Sequence, residues 1–345
     1  MDPNSACDPD SGIFGLDVAP EDAVLQLIPV PWDATTSYRD GAHRGPPAIL
    51  RASHQLDMQD RALGVPYIDG ICMQGGAEEL LALNHECRAA AERVIAAAGR
   101  PGGLRPELVE SLAAVNRGSQ RVNTWVYERA CAALDAGAAV GVVGGDHASP
   151  FGLIRALAER NPGMGILHVD AHADLRREYE GFEHSHASIM DNALRRIDGV
   201  ARLVQVGIRD FCEEERQRIV GAEGRIVTFY DLDLAERRFA GETWAALTAE
   251  IVASLPARVY VSFDIDGLSP DLCPGTGTPV PGGLSFHEAT HLIAAVARSG
   301  RTIVGFDLCE VSPSRVDPED EWDANVGARI LFKLCGWTLR SQGRI

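Results

Sequence analysis

Lysine is almost absent from this 345-residue chain, where Lys333 is the only one. Schiff-base chemistry and a lysine-dependent phosphate loop therefore have little to work with, and no G-x-x-x-x-G-K-[ST] occurs. Bases of both kinds are scarce: 32 stand against 49 acids, a formal net charge of −17. The basic face needed for nonspecific nucleic-acid binding or for an anionic membrane is missing. No apolar run approaches the roughly 18–20 residues of a membrane span. The eight cysteines, from Cys7 to Cys335, are scattered and form no C-x-x-C pair. That excludes a zinc ribbon and argues against a disulfide framework, so most read as buried thiols. Met1 to Gly15 is rich in Asp, Pro, Ser and Gly and lacks the apolar centre of a secretory signal. Residues 1–20 are expected to be a flexible tail, 21–345 a single domain, and the protein soluble and cytoplasmic.

With 46% hydrophobic and 23% charged residues, the composition is that of a globular protein. Short apolar runs at 23–30, around Val65–Ile68, and at 139–143, 165–169, 203–208, 225–229, 259–263 and 302–308 read as strands. Between them lie helical patterns at 46–56, 77–98, 119–134, 150–159, 187–196, 213–220, 242–255, 286–297 and 323–339, and Gly99–Gly103 reads as a loop. The strands are continuously apolar, as strands covered on both faces are, so the fold class is α/β with a mainly parallel sheet between helix layers.

Polar residues cluster where these strands end. Strand 139–143 runs into Gly144-Gly145-Asp146-His147, strand 165–169 into Asp170-Ala171-His172-Ala173-Asp174, strand 259–263 into Asp264-Ile265-Asp266, and strand 302–308 into Glu310. Parallel sheets bind ligands beyond the carboxyl ends of their strands. A strand has a side-chain period of two, so Asp170, His172 and Asp174 share a side, as do Asp264 and Asp266. Four carboxylates and two imidazoles in one place would repel and lose hydration, and bound cations are the usual remedy. One divalent ion does not readily use six such ligands and keep open positions, whereas two ions sharing carboxylates do. Singly, each motif is more often an ordinary turn, a loop decoration or solvated surface. Together, at the ends of buried strands, they point to metal. His43, His54, His85, His287 and His291 read as structural, and His168 as packing or hydrogen-bonding inside its strand.

Gly144–His147, Asp170–Asp174 and Ser262-Phe263-Asp264-Ile265-Asp266-Gly267-Leu268 resemble the three metal motifs of the ureohydrolases, the family of arginase, agmatinase, formimidoylglutamase and guanidinase. Pro31-Trp32-Asp33 through Gly45-Pro46, Thr276–Pro279 with Gly282-Gly283, and Asp307 with Glu310–Pro313 match as well, so the likeness runs from about Val24 to Leu339. It implies an arginase-like three-layer α/β/α domain with a roughly eight-stranded, mainly parallel sheet, assembled as a homotrimer or homohexamer. It also implies two divalent ions per chain, Mn²⁺ or Ni²⁺. His147, Asp170, Asp174 and Asp264 would hold one, and His172, Asp170, Asp264 and Asp266 the other. Glu310 would pair with the guanidinium of a small substrate, Asp174 would accept a hydrogen bond from the attacking water, and His186 would transfer the proton to the leaving nitrogen.

The chain departs from the family at Ser269, usually an aspartate, where an altered loop contact involving Asp271 and a retained metal site are expected. Cys212 stands where arginases carry an acid for the substrate's amino group, which argues against arginine, with Glu213, Glu214 and Glu215 as substitutes nearby. Arg176 and Arg177 read either as disfavouring a cationic tail or as a solvated pair. Trp32–Tyr38 resembles the guanidinase-like branch, so a compact guanidine or alkylguanidine is the expected substrate, with agmatine, a guanidino acid or a biguanide as alternatives. Two rival readings are a weakly active subunit that supports a catalytic paralogue in a hetero-oligomer, and a single-zinc deacetylase-like amidohydrolase. The intact ligand positions argue against the first and the Asp264-x-Asp266 pair against the second.

Overall fold

The computed structural model describes residues 7–66, 70–97, 105–314, 316–317 and 320–345. Its strands are β1 (Leu25–Val30), β2 (Ile71–Met73), β3 (Ala139–Gly144), β4 (Met164–Val169), β5 (Val200–Ile208), β6 (Ile226–Tyr230), β7 (Arg258–Asp264) and β8 (Thr302–Cys309). They form one sheet in the order β2-β1-β3-β8-β7-β4-β5-β6, and every neighbouring pair is parallel. The order turns back between β3 and β4, where β8 and β7 lie in the middle of the sheet. The motif-bearing ends of β3, β8, β7 and β4 are thereby adjacent, although their residues lie up to about 160 positions apart in the chain.

Burial on both faces explains the unbroken apolar runs. Every residue of β1, β3 and β4 is buried. On one face Leu25, Val169, Val261 and Phe263 pack with α1 (Gly45–Ser53), α8 (Trp244–Ala253), α9 (Phe286–Arg298) and α10 (Trp322–Ser341). On the other, Ile28, Val142, Ile166 and Tyr260 pack with α2 (Glu78–Ile95), α3 (Pro106–Asp135), α4 (Phe151–Arg160) and α5 (Ile189–Arg196). Helix starts follow local chemistry: Pro46 and Pro106 occupy first-turn positions, and Ser285 with Glu288 closes a capping box on α9.

The structure departs from the sequence reading in three places. Part of the expected tail is packed: Ile13 and Phe14 are buried, and the Phe14 ring meets Phe332 edge-on at 5.3 Å. The helix expected from 119 begins at Pro106, because Gly118 is a close-packing site rather than a break. A Cβ there would stand 2.4 Å from the Cys87 sulfur of α2. The short helix α7 (Asp231–Phe239) was not anticipated, since it buries only Leu234 and shows no apolar stripe. The apolar piece near Val65–Ile68 falls partly outside the described residues and the Gly99–Gly103 loop wholly outside them, and the edge strand β2 lies just beyond the former. Among the described residues, no helix is long and apolar enough to cross a membrane.

Candidate metal centre

Each strand end delivers its polar residues through a turn built for close approach. After β3, the Gly145 N–H donates to Val30 O (2.7 Å) and the Asp146 N–H to Trp32 O (2.7 Å). A Cβ on Gly145 would lie 1.9 Å from the Trp32 carbonyl oxygen, so glycine is obligatory there. The turn presents His147, which is buried. Its Nδ1 lies 3.0 Å from Asp170 Oδ2, 3.2 Å from Asp174 Oδ2 and 3.3 Å from Asp264 Oδ2. On its other side Nε2 meets Ser262 Oγ (2.8 Å), whose hydroxyl donates to Asp307 Oδ2 (2.8 Å). That chain points the Nδ1 edge of His147 at the carboxylates.

The second half of the cluster is built around Asp170. Its Oδ1 accepts the His172 N–H (2.6 Å), and His172 Nδ1 lies 3.1 Å from Asp266 Oδ2. Asp264 caps the turn Ile265–Gly267 by accepting the Asp266 N–H (2.8 Å), and Asp266 Oδ1 accepts the Ala171 N–H (3.1 Å). All six predicted ligand residues are therefore brought together. Among the described residues, ligand atoms of His147, His168, Asp170 and Asp174 form one group able to hold an ion, and those of Asp170, His172 and Asp266 form a second. Asp170 belongs to both.

The ionisation pattern is that of a site lacking a counter-charge. Burial and the neighbouring Asp266 and Asp170 push the Asp264 carboxyl well above the usual range. Burial and Asp170 push Asp174 up to about 6. Burial opposes charge on His147, but Asp170, Asp174 and Asp264 hold its imidazolium far above the ordinary value. His172 is likewise driven up to about 12 against burial, chiefly by Asp266 and Asp170. Carboxylates that cannot all ionise, paired with imidazoles forced to keep protons, are what hard divalent cations relieve. The oxygen-rich donor set with two imidazoles suits them.

Glu310 and Asp174 adopt left-handed backbone conformations, with φ of 63° and 54°. Such strain in a non-glycine residue persists only where the surroundings enforce it. Glu310 is pinned by its own N–H to Gly145 O (2.8 Å), by Thr276 Oγ1 on its carbonyl (2.9 Å) and by the His147 N–H on Oε1 (3.0 Å). Oε2 points past Gly277, whose Cβ would stand 3.5 Å away. Burial, Asp146 and Asp266 push this carboxyl far up, and no cationic side chain among the described residues pairs with it. It is a buried carboxyl that ionises readily only beside a cation.

His186 opens the short turn His186–Ser188 capped by Ser185 and faces Tyr179 at 6.1 Å between ring centroids. Its Nδ1 is buried without a hydrogen-bond partner. Burial first, then the charge of His172, bring its imidazole down to about 3. It is neutral at physiological pH and would begin a proton transfer as an acceptor.

His184 is a packing residue. It lies against Phe151 at 5.0 Å, and its Nε2 sits 3.4 Å from the Arg196 guanidinium. Burial and Arg196 push its imidazole down to about 4. A histidine whose pKa falls on folding stabilises the protein fully above the unfolded value near 6.5 and loses that contribution as pH drops toward 4. The expected slope is up to about 1.4 kcal/mol per pH unit within that window. Melting curves of metal-free protein between pH 7 and 4 should fall less steeply for His184→Gln than for the parent, and parallel curves would refute the assignment.

Around the cluster, two of the three residues offered to replace the missing arginase acid are already engaged, and Glu214 is exposed. Glu215 accepts the Leu175 and Cys212 N–H groups (3.0 and 2.9 Å), and Glu213 pairs with Arg216 at 2.9 Å. Arg176 lies over the Tyr179 ring (4.9 Å) with Nε 3.9 Å from Glu215, so its charge is turned toward α6 (Glu213–Gly221). Ser269 donates to Asp271 Oδ1, the altered loop contact expected there. The Arg209 guanidinium reaches the carbonyls of Gly207, Asp266, Leu268 and Val280 at 2.7–3.1 Å. It ties the end of β5 to the turn after β7 and to the loop at Val280. No motif betrays this, because the acceptors are backbone oxygens.

Comparison with known proteins follows this geometry. Residues 23–336 match the sequence model of the arginase family. An N(1)-aminopropylagmatine ureohydrolase of Thermus thermophilus is 35% identical over 303 residues, covering 88% of this chain and 87% of that one. The agmatinase of Bacillus cereus is 29% identical over 320 residues, covering 92% and 93%. Among solved structures, the proclavaminate amidino hydrolase of Streptomyces clavuligerus superposes with a TM-score of 0.73 at 24% identity, covering 98% of this chain and all of that one, a likeness of fold.

Proposed function

The chain belongs to the arginase family and is a ureohydrolase acting on guanidino compounds. On that premise we propose that it hydrolyses a guanidinium C–N bond at a pair of divalent cations, manganese or nickel, releasing urea with an amine or ammonia. The observation that carries this reading is the buried Glu310 carboxyl, held by backbone hydrogen bonds beside a cluster of four aspartates and two histidines. His147, Asp170, Asp174 and Asp264 would hold one ion, and His172, Asp170, Asp264 and Asp266 the other. When bound, the ions supply the field that brings the pKa of a water from 15.7 toward about 7.

The chain's own groups do the rest. Glu310 takes the guanidinium in charge-assisted hydrogen bonds, which fixes the carbon's position and leaves one face open toward the aspartates. Asp174 accepts a hydrogen bond from the attacking water and so aims its lone pair at that carbon. The neutral His186 takes up the proton that the attacking water gives up and delivers it to the departing nitrogen, which leaves as an amine.

Two substrate readings differ in the tail. The segment Trp32–Tyr38 favours a compact guanidine. One observation bears on an ammonium tail, as in agmatine: Glu180 Oε2 is buried without a hydrogen-bond partner, burial raises its carboxyl, and the charge of Arg88 lowers it. Glu180 sits at φ 55° in the two-residue turn between Tyr179 and Phe182, where asparagine or glycine would be less strained. Urea release should be measured over guanidine, methylguanidine, agmatine, arginine, guanidino acids and biguanides, with Mn²⁺ and Ni²⁺ compared. Turnover of at least one guanidine and none of acetyl-lysine is expected. Glu180→Gln is expected to raise KM for agmatine and leave guanidine unaffected if the tailed reading holds. Failure of every guanidine with a fully loaded protein would overturn the proposal.

A further inference from the structure

Strand register aligns five polar residues across the middle of the sheet. Thr228 of β6 pairs with Gln205 of β5, Gln205 with His168 of β4, His168 with Ser262 of β7, and Ser262 with Asp307 of β8. Two residues earlier on the first four strands stand Ile226, Leu203, Ile166 and Tyr260, core residues of the α2–α5 layer. Two residues later on β4 and β7 come Asp170 and Asp264. A polar row thus separates the apolar core from the metal centre. Gln205, His168, Ser262 and Asp307 are each 0% exposed. A buried row of this kind is tolerated only when each of its polar groups is satisfied.

Following the protons through its first half gives one answer. The Gln205 side-chain amide lies 2.8 Å from the Ala173 carbonyl oxygen, which can only accept, so the atom facing it is the amide nitrogen. The other oxygen of the pair is consistent, since Gln205 Oε1 accepts the Thr228 hydroxyl (2.9 Å). The same amide nitrogen lies 3.0 Å from His168 Nδ1, which must therefore be an acceptor. A neutral imidazole accepting at Nδ1 carries its proton on Nε2, and Nε2 lies 2.7 Å from Asp170 Oδ2.

We infer that His168 is not a metal ligand but the positioning residue for Asp170, and that Gln205 commits it to this task by fixing its tautomer. Distance alone groups His168 with His147, Asp170 and Asp174 as a possible ion-holding set, yet both of its ring nitrogens are spent. With His168 on Oδ2 and the His172 N–H on Oδ1, the Asp170 carboxylate is held at both oxygens, which fixes how the shared ligand faces the two sites. The inference rests on the two-ion reading only for its consequence; the tautomer stands on hydrogen bonding alone.

The test has two parts. In metal-free protein carrying ¹⁵N-labelled histidine, with His168 assigned by its loss in His168→Gln, the ring is expected to be protonated at Nε2 and bare at Nδ1. A proton on Nδ1 would overturn the inference whatever the metal content. Manganese is then added alone and the ions retained per chain are counted. His168→Phe removes the donor and is expected to weaken retention about 10–100-fold. His168→Gln offers an amide N–H in its place and should recover most of it. Gln205→Met, which leaves His168 intact but frees its tautomer, should fall between. Unchanged retention in His168→Phe or Gln205→Met, or no rescue by His168→Gln, would refute the positioning role. No manganese on the unsubstituted protein would sink the two-ion reading and leave the tautomer result to stand or fall by itself.

Discussion

Asp264→Ala is expected to yield a folded protein that retains less than one manganese ion per chain and releases no detectable urea. Asp264 does two things at once. Its Oδ2 sits 3.3 Å from His147 Nδ1, and its Oδ1 accepts the Asp266 N–H (2.8 Å). Deleting the carboxylate therefore removes a group offered to both ions and also unties the turn that aims Asp266. Losing such a cap costs about 1 kcal/mol. Against that, Asp264 is crowded by Asp266 and Asp170, which with burial push its carboxyl far up, so its removal relieves repulsion. The two effects oppose, and the metal-free variant should melt close to the metal-free parent. The separation appears on adding manganese. Ligand at a hundred times its Kd stabilises the folded state by about 2.7 kcal/mol, and the parent should gain such a shift while the variant gains little. Two retained ions and ordinary turnover in Asp264→Ala would mean that the shared position belongs to another residue.

The parts of this architecture legible in the sequence are those written in short-range pattern. Continuous apolar runs mark strands covered on both faces. Period-two spacing singles out Asp170, His172 and Asp174 and the Asp264–Asp266 pair, although 170–174 and Asp266 lie beyond their strands and are brought together by turns rather than by strand parity. What register creates is invisible in one dimension. Thr228, Gln205 and Ser262 are ordinary residues until parallel pairing sets them beside His168 and Asp307. Only the parity of His168 with Asp170 hinted at a connection. Arg209 escaped for a related reason, as did Gly118, which reads as a helix breaker until α2 is seen to press Cys87 against it. The packed Ile13-Phe14 pair escaped because an Asp-, Pro- and Ser-rich surrounding masked two apolar residues with a partner in α10.

Glu310→Gln tests the other half of the site, since it should keep both ions and lose turnover. Glutamine fits the same space, and the backbone that holds the residue at its strained φ is anchored by Gly145 and Thr276, neither of which touches the side chain's charge. Its amide oxygen can still accept the His147 N–H, so the turn that presents His147 to the cluster is preserved. What changes is the atom that points past Gly277. A carboxylate oxygen there accepts from a guanidinium N–H, whereas an amide N–H opposes it donor to donor. Breaking one partner of a buried charge pair costs about 2–5 kcal/mol. At 1.36 kcal/mol per decade, that predicts a fall in kcat/KM of roughly 30- to 5,000-fold. Metal-free stability should not fall, because the ionised Glu310 is itself disfavoured by burial and by Asp146 and Asp266. The informative readout is therefore the pair of measurements taken together, manganese content unchanged and urea release collapsed. Loss of both would make Glu310 a support of the metal cluster, and retention of both would place the guanidinium against a different wall of the site.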